Sequence, residues 1–366
     1  MTKTKGVGIL LTLAFSLYTV ALDPARAVAQ SPAPSMQLGA LPPVPVPSDN
    51  PITPQKVELG KVLFFDSRLS GDGSMSCAVC HKPDHGWDAP TPLSPAYPAN
   101  RERRASMSLV NVAYNTALIW DGRAGALEKQ ALGPIQNPLH MNMNLDLLME
   151  RLKAVPEYVK RFEDVFGSGG LTPENLGKAI AAFERTLVTR DSPFDRSLTG
   201  DKKALSPEAL KGLGHFQGKA RCALCHNGPN FTDQKFHNLG VPAPAALKDP
   251  LVQAALRFDA KRMKLEEWAI VTEDPGRYLV TKKEEDRGAF KTPALRNIDQ
   301  SAPYMHNGAF ATLDEVIEFY NQGGEKGPNK SPLVTPLGLT AEEKQQLKAF
   351  LHSLTGRIEF TLPKIP

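Results

Sequence analysis

Apolar residues in this chain recur three and four positions apart in short blocks, and stretches rich in proline, glycine and polar residues separate the blocks. That spacing is helical; the two-residue alternation of a half-buried strand is absent, so a mainly α fold with long loops and little strand is expected. The first predicted helix starts at Thr53-Pro54 and carries Val57, Val62, Leu63 and Phe64, with Pro54 where a missing N–H costs nothing. Further helices are predicted over Ala124–Leu132, Leu145–Lys153, Glu157–Phe166 and Glu174–Thr189, the last behind a Thr172 cap and Pro173. In the second half Ser206-Pro207-Glu208 opens a helix through Phe216. Thr312-x-x-Glu315 is a capping box ahead of Leu313, Val316, Ile317 and Tyr320, which share one helix face, and Thr340-x-x-Glu343 caps a final helix to Leu354. From Val241 to about Lys291 no core pattern is legible, so this stretch is expected to be a long loop, a candidate face for a partner or substrate.

Residues 1–29 have the layout of an export leader: Lys3 and Lys5, the apolar run Gly6–Leu22, then Ala27-Val28-Ala29 ahead of Gln30. A membrane anchor is the alternative, but the run is short and a small-residue cleavage site follows it. Residues 30–52 form a proline-rich lead (Pro42-Pro43-Val44-Pro45-Val46-Pro47), expected to be extended. The leader supplies +2 of the +4 formal charge, so the remainder is nearly neutral and gives no support for a nucleic-acid partner. No later apolar run is long enough to span a bilayer, and stable membrane insertion is not expected.

The candidate chemistry lies in one pentapeptide written twice, Cys77-Ala78-Val79-Cys80-His81 and Cys222-Ala223-Leu224-Cys225-His226, which together use all 4 cysteines. Two thiols two residues apart can add to the vinyl groups of a haem while the next histidine takes the iron. One copy alone would equally fit a zinc half-site or a redox dithiol; two copies with no cysteine left over argue for two covalent c haems, with His81 and His226 as axial ligands. The 366 residues suffice for two cores, and haem as apolar filling suits a chain with 7% aromatics and 32 prolines. The expected architecture is an N-terminal haem domain over 53–195 and a C-terminal one over 196–366. His85, just past the first motif, is expected to be a solvated loop residue.

Three further words accompany the motifs: Ile119-Trp120-Asp121-Gly122-Arg123, Lys291-Thr292-Pro293-Ala294-Leu295-Arg296-Asn297, and Ala302-Pro303-Tyr304-Met305-His306-Asn307-Gly308. In this order they resemble the bacterial di-haem cytochrome c peroxidase and MauG superfamily, from about Thr53 to Leu354. The resemblance implies two cytochrome c-like helical domains, with the His81 haem reacting with peroxide and the His226 haem storing or relaying electrons. It implies that Trp120 carries electrons or holes between them, the bland alternative being a core tryptophan, and that Gln130 and Pro134 line the distal side of the first haem. Tyr320 falls where the peroxidases have a methionine ligand on the second iron and MauG a tyrosine. A phenolate favours ferric and higher-valent iron, a thioether ferrous iron. An ordinary core tyrosine is the alternative at 320, and Met305 is a rival ligand.

Three positions depart from the pattern. The family's glutamate in Asn-Pro-x-Glu-Met is His140 here, in Asn137-Pro138-Leu139-His140-Met141; it can do acid–base work, ligate the first iron or be structural. The tryptophan that MauG has before the second motif is absent from Lys219-Ala220-Arg221. The carbonyls of Ser301 and Pro303 match calcium ligands of the family, whereas the asparagine ligand is replaced by Ala105. Three functions follow from the resemblance: a MauG-like enzyme whose two haems share a high-valent state formed with hydrogen peroxide and oxidise a residue, tryptophan by analogy, on a protein partner; a peroxidase fed by a small cytochrome c or cupredoxin; or a di-haem electron carrier.

Overall fold

The computed structural model describes residues 1–2, 37–98 and 100–366; the export leader lies outside the described residues. From residue 37 the proline-rich lead is mostly extended and exposed, and Pro42 O accepts hydrogen bonds from Tyr114 and Arg190. The chain then forms α1 (Pro54–Phe65) and a single turn over the first motif, α2 (Cys77–Cys80), followed by a short antiparallel hairpin, β1 (Pro95–Ala96) with β2 (Asn100–Arg101). Next come α3 (Leu127–Gln136), α4 (Leu145–Lys153), α5 (Pro156–Phe166), α6 (Pro173–Glu184) and the short α7 (Pro193–Leu198). The second half contains α8 (Pro207–Gln217), β3 (Phe236–His237), α9 (Pro250–Arg262), the single turn α10 (Tyr278–Thr281), β4 (Phe290–Lys291), α11 (Leu313–Gln322) and α12 (Ala341–His352). Strands β3 and β4 pair antiparallel, Phe236 opposite Lys291. The mainly helical class with little strand is thus the observed one.

Most helix starts follow their caps. The Thr53, Thr172 and Ser206 hydroxyls accept from the backbone N–H three residues on, and both predicted capping boxes close reciprocally. Three ends differ from expectation. Helix α3 begins at Leu127, because the Ala124 carbonyl is bonded to Leu118 N, and it runs past Pro134, with Asn137 N bonding Gly133 O at 3.0 Å. Helix α6 stops at Glu184, where the stretch Thr186-Leu187-Val188-Thr189, β-branched at all but Leu187, leaves the helix and Thr189 N bonds Asn111 Oδ1. The 241–291 stretch is not one loop: Asp249 caps α9, whose Leu256 and Ala260 pack with Leu265, Val271 and Leu279 in a small core of their own.

Two large buried clusters divide the rest. One joins Leu59, Leu63 and Phe64 of α1 to Leu176, Ile180 and Phe183 of α6 and to Tyr158 and Phe162 of α5. The other joins Ala209 and Phe216 of α8 to Leu347, Phe350 and Leu351 of α12 and to Leu313 and Ile317 of α11. Both are organised by a helix pair that meets at glycine. A Cβ on Gly60 would lie 1.8 Å from Ala179 O, and one on Gly212 would lie 1.9 Å from Gln346 O, so each crossing brings backbone against backbone. After Leu354 the tail returns to the first cluster, where Phe360 stacks on Phe65 at 5.2 Å and meets Trp87 edge-on at 5.0 Å.

Buried ion pairs tie the α9 region to the loop that follows β2. Arg104 bonds Asp121 Oδ2 at 2.7 Å and Asp274 Oδ2 at 2.6 Å, and Arg103 bonds Asp274 at 3.0 Å and also Asp259. Breaking such a pair by removing one partner leaves an uncompensated interior charge, typically about 3–5 kcal/mol. The network therefore fixes Glu102 and Ala105, its immediate neighbours in sequence.

Candidate functional site

The second motif lies in a 3-10 turn, Cys222–Leu224, that follows α8, and Ala220 N bonds back to His215 O at 2.9 Å. It borders a cavity of about 840 Å3 lined also by Trp120, Lys291, Met305, His306 and Tyr320. That volume falls within the range of about 300–1,000 Å3 usual for ligand pockets. His226 Nδ1 meets the Phe231 carbonyl at 3.0 Å, so Nδ1 is the protonated nitrogen and Nε2 is left free to bind a metal. Burial pushes this imidazole down, favouring the neutral form that a metal needs.

Around the first motif the pattern recurs: His81 Nδ1 meets Trp87 O at 3.2 Å, and burial lowers the ring to about 4. Phe64, at 6.4 Å between centroids, packs beside His81. Burial raises the Cys80 and Cys222 thiols to about 12 and Cys77 also upward. Zinc binding and thiol exchange need thiolate, so this environment argues against both and suits thiols that end as thioethers.

The hairpin carries the His140 region to the first motif. Cys80 Sγ approaches Pro95 O at 3.6 Å, Tyr97 N bonds Leu139 O at 3.0 Å, and His140 Nε2 lies 3.0 Å from Glu102 Oε1. The last is a close approach without the alignment of a hydrogen bond, and Glu102 Oε1 has no hydrogen-bond partner. Gln130 and Pro134 stand one turn apart on α3, both half-buried.

Between the motifs runs the segment Ala105–Ser108. Trp120 is 8% exposed and donates from Nε1 to Ala105 O at 3.0 Å. Met107 borders the second cavity while its backbone faces the His81 ring. Trp120 thus borders the His226 cavity and is bonded to a strip that reaches His81. Tyr320, on α11, lines the same cavity, and both thiols of the second motif lie within electrostatic reach of its hydroxyl; burial raises the phenol. Met305 lines the cavity as well.

One expectation changes here. His85 is no free loop residue: it ends the turn Pro83–His85, and its Nε2 bonds the Ala302 carbonyl, an acceptor supplied from 217 positions away. For calcium, Ser301 and Pro303 border the cavity, but Ala105 offers only a methyl group, and its carbonyl already accepts from Trp120. Among the described residues the cluster with metal-type donors is Cys225, Asp233 and His237. Asp233 bonds His237 at 3.0 Å and raises it to about 9, so the ring is a charged ion-pair partner rather than a metal ligand.

Sequence reasoning missed His306, Lys291 and Glu102. His306 stacks on Phe290 at 3.5 Å between centroids and is lowered by burial to about 3. Both His306 and Lys291 stood inside recognisable words without a role; Glu102 had no local signal.

Comparison with known proteins agrees with this geometry. Residues 54–203 match the model of the di-haem cytochrome c peroxidase family. The chain is 42% identical over 367 residues to the cytochrome-c peroxidase IdrP1 of Denitromonas iodatirespirans, with 98% of each chain covered. It is 40% identical over 325 residues to the methylamine utilization protein MauG of Methylorubrum extorquens, covering 88% of this chain and 85% of that one. A solved MauG-like protein associated with microbial copper homeostasis superposes with a TM-score of 0.74 at 30% identity, over 87% of this chain and 94% of that one.

Proposed function

The chain belongs to the di-haem cytochrome c peroxidase family, and from that premise we propose that it is an exported, MauG-like oxidoreductase that consumes hydrogen peroxide and takes the two electrons from a residue of a protein partner. Cys77 and Cys80 would tether one c haem with His81 as axial ligand, and Cys222 and Cys225 the other with His226. When bound, the haems would supply the redox chemistry, the first as the site open to peroxide and the pair as the store for oxidising equivalents. His140 holds and moves the proton that cleavage of the peroxide bond requires, with the Glu102 carboxylate 3.0 Å from its Nε2. Trp120, hydrogen-bonded to Ala105, is the conduit between the sites.

One observation supports the MauG-like side of the reading: Tyr320 lines the cavity of the second motif, with both thiols of that motif within electrostatic reach of its hydroxyl. An oxygen ligand there disfavours ferrous iron and suits a site that gives up electrons. The second reading, a peroxidase reduced by a small cytochrome c or cupredoxin, is supported by the name of the relative at 42% identity. For calcium the donor set is incomplete, two carbonyls where the ion takes about six to eight oxygens, and no step is routed through it. Export accords with the leader-like residues 1–29, and no helix among the described residues is long and apolar enough to cross a membrane.

Electron paramagnetic resonance of the ferric protein tests the reading. One high-spin and one low-spin haem are expected, and an oxidised spectrum that outlasts added peroxide. Tyr320→Met should abolish that persistence; a variant that retains it sinks the ligand assignment. Two low-spin haems indifferent to peroxide would indicate an electron carrier, and rapid steady turnover with reduced cytochrome c would favour the second reading.

A further inference from the structure

We propose that Lys291 is the cationic partner of a propionate on the haem tethered at Cys222 and Cys225, an assignment that rests on the reading above. The Lys291 side chain is 1% exposed and lines the cavity shared by Cys222, Cys225, His226 and Tyr320. Its ammonium has only neutral acceptors, Thr292 O at 3.2 Å and Asn115 Oδ1 at 3.5 Å. Of the other cations on the cavity wall, Arg296 bonds Asp195 at 2.8 Å and Arg287 bonds Glu284 at 2.7 Å, while Arg221, which is not buried as Lys291 is, bonds the neutral oxygens of Thr335 and Pro336. The acidic group that acts on Lys291 is Asp233, whose carboxylate is already held by His237.

An interior ammonium without a counter-charge is costly, and burial draws Lys291 down to about 8. The backbone nevertheless fixes the side chain there. Lys291 N bonds Trp120 O at 2.8 Å, and the β3–β4 ladder sets Lys291 opposite Phe236, so the residue cannot swing to solvent without unpairing both. A haem brings carboxylates on its edge, and a propionate reaching this wall of the cavity supplies the missing charge. The same contact puts a positive charge beside the second haem. Lys291 therefore raises the reduction potential of one site, opposing the effect of the Tyr320 oxygen.

The test is spectroelectrochemical titration of the mature protein, with haems per chain counted by mass. Lys291→Met should keep two haems and lower the ferrous-to-ferric ratio of the His226 haem at fixed potential about fifteenfold, the factor for one charge about 10 Å away at an effective dielectric of about 20. The His81 haem should not move, and Lys291→Arg should restore the parent titration. An unmoved His226 haem, or an equal shift of both, overturns the assignment. If the methionine variant loses the second haem, Lys291→Gln is titrated instead, and an unshifted curve there is equally fatal. Fewer than two haems on the parent chain would instead refute the underlying di-haem reading.

Discussion

Two glycines on one helix give the sharpest test of how the second haem site is held. On α8, a Cβ at Gly212 would sit 1.9 Å from Gln346 O and 2.9 Å from the Phe350 Cβ, whereas one at Gly214 meets nothing within 4 Å. At 212 the α12 carbonyl must retreat about 1 Å to reach the 3.0 Å below which real contacts essentially do not occur. Because the obstacle is backbone, rotamer changes cannot relieve it, and the cost should lie near the top of the roughly 1–3 kcal/mol range for overpacking. At 214 the same substitution only removes a helical glycine, a gain of up to about 1 kcal/mol. Thermal unfolding of the haem-loaded protein, followed by far-ultraviolet circular dichroism, reads the difference. At about 2–4 °C per kcal/mol, Gly212→Ala should melt roughly 5–10 °C lower and Gly214→Ala a few degrees higher. Since α8 leads into Cys222, the 212 variant should also disturb the absorbance of the second haem before that of the first. Shifts of the same sign in both variants would refute the idea that a backbone-tight crossing holds this site.

Two further outcomes follow from ionisable groups. His140→Gln should slow the reaction with peroxide by roughly 10²–10⁴, the usual worth of a positioned proton-transfer group, with both haems retained; stopped-flow mixing at limiting peroxide measures it, and an unchanged rate removes His140 from the chemistry. Glu184 is 4% exposed, has an unpartnered Oε2 and is raised by burial from 4.5 to about 8. The folded chain thus keeps a proton that the unfolded chain has released, and stability should fall, on the order of a few kcal/mol in all, as pH rises from about 4.5 to about 8. Glu184→Gln should flatten that part of the denaturant-midpoint profile, and an identical profile would show that the carboxyl is ionised when folded.

Local signals made the helix starts legible: Thr53, Thr172, Ser206, Thr312 and Thr340 each sit where a side-chain oxygen can satisfy an orphan N–H. The same signal stood at Ser192-Pro193 and Asp249-Pro250, where α7 and α9 begin. Helix α9 escaped notice because its buried stripe, Val252, Ala255, Leu256 and Ala260, is half alanine and carries little hydrophobic contrast. Charges were the least legible class. Arg103 and Arg104 stand beside no acidic partner in sequence that would signal burial, and only the fold brings Asp259 and Asp274 to them from 156 and 170 positions away. His85 misled for the same reason, its acceptor at Ala302 being remote in sequence.

The candidate chemistry was legible in its repeated part and obscure in its unrepeated part. Both halves pack a proline-started helix through a glycine onto a second helix, and both orient a histidine by a carbonyl five or six residues downstream. Such symmetry explains how two haems can be held, but two equivalent sites would do equivalent things. What distinguishes them lies opposite the histidines: His140 with Glu102 by the first motif, Tyr320 and Lys291 in the cavity of the second. A proton donor serves a site that must cleave peroxide. An oxygen ligand, with one buried cation set against it, serves a site whose potential must be held between easy reduction and excessive oxidising strength. The division of labour proposed for this chain therefore depends on residues for which the duplicated motif has no counterpart, and substitutions at those four positions should separate the two activities while leaving the scaffold intact.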